Sequence, residues 1–233
     1  MAAVIFWGLT RTGNTDKTVA EMSIAQTIRA SGDTLSASLD TDKFTGTSIR
    51  QTRMLLEEEK GIIRPANYHP SVPGSGMFVL DCLRWQLCVI NLQGQMAMDN
   101  CANPFETVDR LLQKAGTKNI LMDLHAEMTS EKKAMGYYLD GKISALWGTH
   151  THVQTADEQI LPNGTGYLTD LGMTGPVRSV IGVRPEQSIA NFRGELTSRY
   201  EVAPGPCMLT GAVFTYDAAA KRCTGAERVR ILD

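Results

Sequence analysis

The chain has 233 residues, 42% hydrophobic and 21% charged, with a formal net charge of −2. That is enough chain to bury a sizeable core as one domain, and it gives no electrostatic reason for nonspecific binding to nucleic acid or acidic membranes. No apolar stretch approaches the length of a membrane span, the seven residues Met1 to Trp7 included, so a cytoplasmic protein is expected. The five cysteines (82, 88, 101, 207 and 223) include no CxxC pair, which disfavours a cysteine metal site and fits reduced thiols.

In chain order, an apolar run predicts a strand over 3–7, followed by helical patterns over 15–30 and 48–60. A Pro/Gly-rich loop occupies 65–76. Strands are then expected at 86–92, 119–125, 143–149 and 166–170, with helices at 104–115 and 130–138 between the first three. Pro162-Asn163-Gly164 is a turn, and the segment from Asp170 to Pro176 is a loop. A helix is expected over 185–193, opened by a proline suited to a first helical turn. Strands at 208–216 and 228–232 alternate as half-exposed antiparallel strands do. Short apolar runs alternating with helices make the fold class α/β, with mixed sheets in a single domain.

The chemistry gathers at Gly148-Thr149-His150-Thr151-His152-Val153-Gln154-Thr155. The chain has four histidines, and two stand here, one residue apart, at the end of a strand. A third, His125, ends the strand before. Neutral imidazole is the commonest protein ligand for metals, and ligand sites in open α/β sheets gather at strand carboxyl ends. Glu127 could orient an imidazole or favour the start of the next helix. His69, in Asn67-Tyr68-His69-Pro70, reads as a structural turn residue. Three histidines alone suit a mononuclear zinc hydrolase or lyase, whereas phosphoester chemistry generally uses two metals about 3.5–4 Å apart bridged by carboxylates. No bridging acid is evident.

At these residues the chain resembles the YmdB-like bacterial metallophosphoesterases, which have a calcineurin-like fold. The resemblance rests on Arg64-Pro65-Ala66-Asn67, Val89-Ile90-Asn91-Leu92-Gln93-Gly94, Asp123-Leu124-His125-Ala126-Glu127 and Thr129-Ser130-Glu131-Lys132. It continues through Gly148 to Asp157, Ile160-Leu161-Pro162 and Thr169 to Pro176, so that it runs from about Gly61 to the C-terminus. It implies a four-layer α/β/β/α sandwich with mixed sheets, lacking the first βα unit. It also implies hydrolysis of phosphodiesters such as 2′,3′-cyclic nucleotides at a dinuclear centre of Fe, Mn or Zn. In that centre His125 and His150 bind one metal and His152 the other, and a further histidine protonates the leaving alkoxide. Glu127, Thr149, Gln154 and Thr174 are the candidates to orient these ligands or to line the substrate pocket.

Residues 1–60 depart from the family pattern, and 61–233 follow it. The Gly-Asp, Gly-Glu-Asn and Gly-Asn-His motifs have no counterpart, Gly8-Leu9-Thr10 and Ala37-Ser38-Leu39 standing where the last two are expected. No histidine precedes Tyr68, so no catalytic residue is assigned. Without those acids one metal, or none, is expected rather than two. The alternative to an active phosphodiesterase is a catalytically impaired pseudoenzyme or nucleotide-binding regulatory module; a mononuclear three-histidine zinc enzyme is the third reading. The expected partner is a small phosphodiester or cyclic nucleotide, with no membrane and no evident nucleic-acid surface, and a homo-oligomer is compatible with the sequence.

Overall fold

A computed structural model describes residues 63–81, 86–217, 220 and 222–233, together with the backbone of three strands before them. In chain order the elements are β1 (Ala2–Thr10), β2 (Glu21–Ala30), β3 (Asp33–Ser36), β4 (Met77–Asp81), β5 (Gln86–Gln93), α1 (Pro104–Lys114) and β6 (Ile120–His125). They continue as α2 (Thr129–Leu139), β7 (Ala145–Thr149), β8 (Gln159–Ile160), β9 (Gly166–Leu168), β10 (Gly175–Pro176), α3 (Pro185–Phe192), β11 (Cys207–Asp217) and β12 (Arg222–Leu232).

The strands form two sheets. The first has the order β4-β5-β6-β7-β9-β8, parallel from β5 to β9 with an antiparallel strand at each edge. Parallel strands are covered on both faces, which is why β5, β6 and β7 are nearly unbroken apolar runs. Cys88, Ile90, Leu92, Met122, Leu124 and Leu146 point to one face and pack with Val108 of α1 and Met135 and Leu139 of α2. Leu87, Val89, Leu121, Ala145, Trp147 and Leu168 point to the other, where Ala212 and Phe214 of β11 and Cys223 of β12 meet them. Trp147 stacks on Phe214 with ring centroids 6.4 Å apart. The second sheet is antiparallel throughout: β11 has β12 along one edge, with β1 and β10 along the other and β2 and β3 beyond β1. Among the described residues the fold is thus the two-sheet α/β sandwich that the resemblance implies, with α1 and α2 layered on the parallel sheet.

Local rules explain most boundaries. The Asn103 side chain accepts from the amides of Phe105 and Glu106 at 2.9 and 3.2 Å and Pro104 opens α1, so both N-terminal signals act together. The helix expected over 15–30 is overturned where it can be described, since Glu21–Ala30 is strand β2, paired with β1 and β3. Met22, Ile24, Ile28 and Ala30 share one parity, interrupted only by Gln26, and pairing on both sides favours that alternation over the i, i+4 spacing of Ile24 and Ile28. The helix expected over 48–60 lies outside the described residues. β4 has no counterpart among the expected strands because its apolar run, Met77-Phe78-Val79-Leu80, is short and adjoins a Pro/Gly loop. No helix among the described residues is long and apolar enough to cross a membrane.

Gly148 marks the tightest packing near the site. A Cβ there would collide with the Thr169 carbonyl oxygen and stand 2.7 Å from Lys132 Cδ. Gly148→Ala is therefore expected to destabilise the fold by about 1–3 kcal/mol, as overpacking does. Urea unfolding checks this, and an unchanged midpoint would contradict the close approach.

Candidate active site

Strand alternation sorts the polar residues of the parallel sheet. Asn91 on β5, Asp123 and His125 on β6, and Thr149 on β7 share parity with the residues that face the second sheet, so all four lie on that face at the strand carboxyl ends. The register sets Asn91 beside Asp123 and His125 beside Thr149. Their side chains form a continuous hydrogen-bonded line. The Asn91 amide donates to Asp123 Oδ2 at 2.9 Å, and the Thr149 hydroxyl donates to Asp123 Oδ1 at 2.9 Å. Thr149 Oγ1 lies 3.0 Å from His125 Nδ1, and His125 Nε2 lies 3.0 Å from His150 Nδ1. Glu127 Oε2 closes the line, 3.2 Å from His150 Nε2.

The protons on this line can be assigned. A hydroxyl carries one proton, and above pH about 7, where Asp123 is ionised, the Thr149 proton goes to it; Thr149 then accepts from His125 Nδ1–H. His125 Nε2 is left with a lone pair. The Glu127 carboxylate can only accept, so it fixes the proton of a neutral His150 on Nε2 and leaves a lone pair on Nδ1. With both imidazoles neutral in these tautomers, their unprotonated nitrogens stand 3.0 Å apart, close enough to serve one cation together. Two imidazole nitrogens on one ion at 2.0–2.1 Å stand about 2.9–3.4 Å apart for bond angles near 90–110°, so the pair fits a shared divalent metal. The rings meet edge to face, 4.7 Å between centroids and 87° between planes. One buried acceptor beside the line, Asn91 Oδ1, has no partner among the described residues.

Burial, with His150 next to it, pulls His125 down to about 4, which keeps it a neutral ligand. Burial pushes Asp123 up to about 7. The two oppose each other in the stability profile. Between about pH 4 and 6.5 the unfolded chain holds a proton on His125 that the folded chain lacks, so stability rises with pH. Between 3.8 and about 7 the folded chain keeps a proton on Asp123 that the unfolded chain has lost, so stability falls as pH rises. Asp123→Asn is expected to unmask the histidine slope: urea unfolding at pH 4, 5 and 6.5 should show stability rising with pH. A flat profile in that variant would contradict the assignment.

The segment after β7 brings the second and third histidines. His150 and His152 have φ of 112° and 64°, and Ile181, whose carbonyl lies 2.9 Å from His152 Nδ1, has φ of 46°. Left-handed backbone is costly for such residues and collects at functional sites. His125 and His150 thus come together, while His152 Nδ1 reaches the Ile181 carbonyl in the loop before α3. Among the described residues no set of three His, Cys, Asp or Glu side chains converges on one point. Thr149 and Glu127 touch the histidines as expected of orienting residues. Gln154 does not turn to them; its amide donates to the carbonyls of Gly211 and Val229 at 2.9 and 3.1 Å and ties the loop to β11 and β12. Thr174 Oγ1 is buried without a hydrogen-bond partner among the described residues. His69 sits in its turn, with Nδ1 2.8 Å from Ser71 Oγ. Asn91 and Asp123 are site residues that the linear pattern does not single out; their signal is a polar and an acidic residue inside runs otherwise apolar.

Residues 48–229 match the family of YmdB-like proteins. The chain belongs to that family. It is 43% identical, over 76% of its length and 68% of the relative's, to a 2′,3′-cyclic-nucleotide 2′-phosphodiesterase of Bacillus subtilis strain 168. Among solved structures it superposes on a hypothetical protein of Thermus thermophilus with a TM-score of 0.74 and 36% identity, covering 79% of this chain and 72% of that one. A phosphatase of Mycoplasma pneumoniae gives a TM-score of 0.73 and 34% identity, covering 79% and 68%. This YmdB-like chain thus spans about two thirds of the length of its relatives, and the segment carrying His125, His150 and His152 lies within the matched part.

Proposed function

We propose that this YmdB-like chain is a metal-dependent phosphodiesterase acting on small phosphodiesters, with 2′,3′-cyclic nucleotides as the substrate class. One observation carries the reading: His125 Nε2 and His150 Nδ1 stand 3.0 Å apart at the strand ends, with Thr149 behind the first imidazole and Glu127 behind the second. The activity named for the Bacillus subtilis relative supports the substrate class. His125 and His150 would hold one divalent cation of the Fe, Mn or Zn kind. When bound, such an ion supplies Lewis-acid stabilisation of charge on phosphate oxygens. The chain's own residues do the rest. Asp123 and Thr149 keep the Nδ1 proton on His125, Glu127 keeps the Nε2 proton on His150, and burial excludes protonation of His125 near neutrality. His152, two residues beyond His150, has Nδ1 2.9 Å from the Ile181 carbonyl.

The test is turnover of 2′,3′-cyclic AMP and a chromogenic phosphodiester by protein loaded with Mn, Fe or Zn. The expected result is hydrolysis that a chelator abolishes, with one ion bound per chain. Bound metal and bound nucleotide without turnover would replace this reading with that of a nucleotide-binding module.

A further inference from the structure

We infer that Asp170, neutralised by Lys132, is the positioning residue that sets the backbone of the His150–His152 loop, without itself touching cation or substrate. The inference rests on the proposed metal pair, since that pair is the geometry it serves. Lys132 lies on α2 and Asp170 just after β9, and their side chains meet at 2.7 Å, each 1% exposed. A buried ion pair of this kind is weak evidence of stabilisation in itself. Here the aspartate also holds backbone: its Oδ2 accepts the Thr151 amide at 3.1 Å, and its Oδ1 accepts the Gly172 amide at 2.9 Å. Both oxygens are thus occupied from within the protein, which separates Asp170 from a metal ligand.

Thr151 stands between the two left-handed histidines, so the carboxylate grips the chain at the one residue the strained pair shares. The backbone of Asp170 grips it again further on. Its amide donates to Thr155 Oγ1 at 2.9 Å and its carbonyl accepts the Thr155 amide at 3.1 Å, while the Leu171 amide donates to the Gly148 carbonyl at 2.9 Å. The loop is therefore tied before, between and after its histidines to one segment, 170–171. Two glycines make the approach possible. Lys132 passes where a side chain on Gly148 would lie, and a Cβ on Gly172, with φ of 78°, would stand 2.8 Å from the Gln154 amide nitrogen. Strained backbone persists where its surroundings over-determine it, and Asp170 supplies that excess of contacts.

Two double variants separate positioning from mere burial of charge. Lys132→Met/Asp170→Asn and Lys132→Met/Asp170→Leu both lack the ion pair, but asparagine keeps one acceptor oxygen, enough for the Thr151 amide at the expense of the Gly172 amide, whereas leucine keeps none. In metal-free protein, amide exchange at Thr151 and the imidazole signals of His125 and His150 are followed by NMR; Co²⁺ affinity is then titrated through its visible absorption. The asparagine form should keep Thr151 protection and bind Co²⁺ within about threefold of the parent. The leucine form should exchange Thr151 at least tenfold faster, shift both imidazoles and bind Co²⁺ at least tenfold more weakly. If the leucine form does not fold, Lys132→Met/Asp170→Ser, too short to reach the amide, takes its place. Parent-like Thr151 protection and imidazole signals in a folded leucine or serine form would overturn the assignment. A parent that binds no Co²⁺ would instead overturn the metal site, and the metal-free signals would still decide the role of Asp170.

Discussion

His125→Ala should lower the affinity for a divalent cation by about 100-fold or more, and abolish any metal-dependent phosphodiester hydrolysis with it. The variant removes one of the two nitrogens that face each other at 3.0 Å and leaves His150 Nδ1 as a lone ligand. Residues behind the ligand should give a graded response. Thr149→Ala frees the His125 tautomer and leaves Asp123 without its Oδ1 donor, and loss of such supporting contacts typically weakens metal binding by about 10–100-fold. Glu127→Gln should have a smaller effect, because the amide oxygen still accepts from His150 Nε2 and the Glu127 side chain is 47% exposed. Calorimetric titration with Mn²⁺ or Co²⁺ reads all three. The ordering His125, then Thr149, then Glu127 follows from ligand before support, and from buried Thr149 before half-exposed Glu127; an alanine at 125 that left affinity unchanged would remove the basis of the proposed function.

Lys132→Met should cost about 3–5 kcal/mol of folding stability, because it leaves the Asp170 carboxylate buried without its counterion. For a domain of ordinary stability, about 5–15 kcal/mol, that is a large share of the total. Charge, rather than lost packing, is the cause, since methionine retains most of the lysine stem against Gly148. Adding Asp170→Asn should therefore recover most of the loss while the Thr151 contact is kept. Urea unfolding of the single and double variants gives both numbers. A single variant as stable as the parent would mean that Asp170 finds compensation elsewhere, and equal loss in the double would point to packing.

Parts of this architecture are legible without coordinates. The runs at 86–92, 119–125 and 143–149 announce buried parallel strands, and β5, β6 and β7 lie within a residue or two of them. The helical pattern over 104–115 announces α1. The histidines at the ends of β6 and β7 announce a site at the carboxyl edge. Residues 21–30 mislead because their apolar positions suit both periods, and only pairing with β1 and β3 decides between them. Gln154 reads as a pocket residue because its neighbours are histidines; its amide runs instead to two carbonyls on strands far along the chain.

The amino-acid order alone determined the α/β class, the strand ends at which chemistry collects, and three imidazoles available to a metal. Hydrophobic period and strand-end polarity are local properties, and a linear reading captures them. Tertiary structure decided which imidazoles pair, through which nitrogens, and what holds them. Those outcomes depend on lone-pair direction, and here that direction is set by contacts between segments distant in sequence: Asp123 through Thr149, and Lys132 through Asp170 to Thr151.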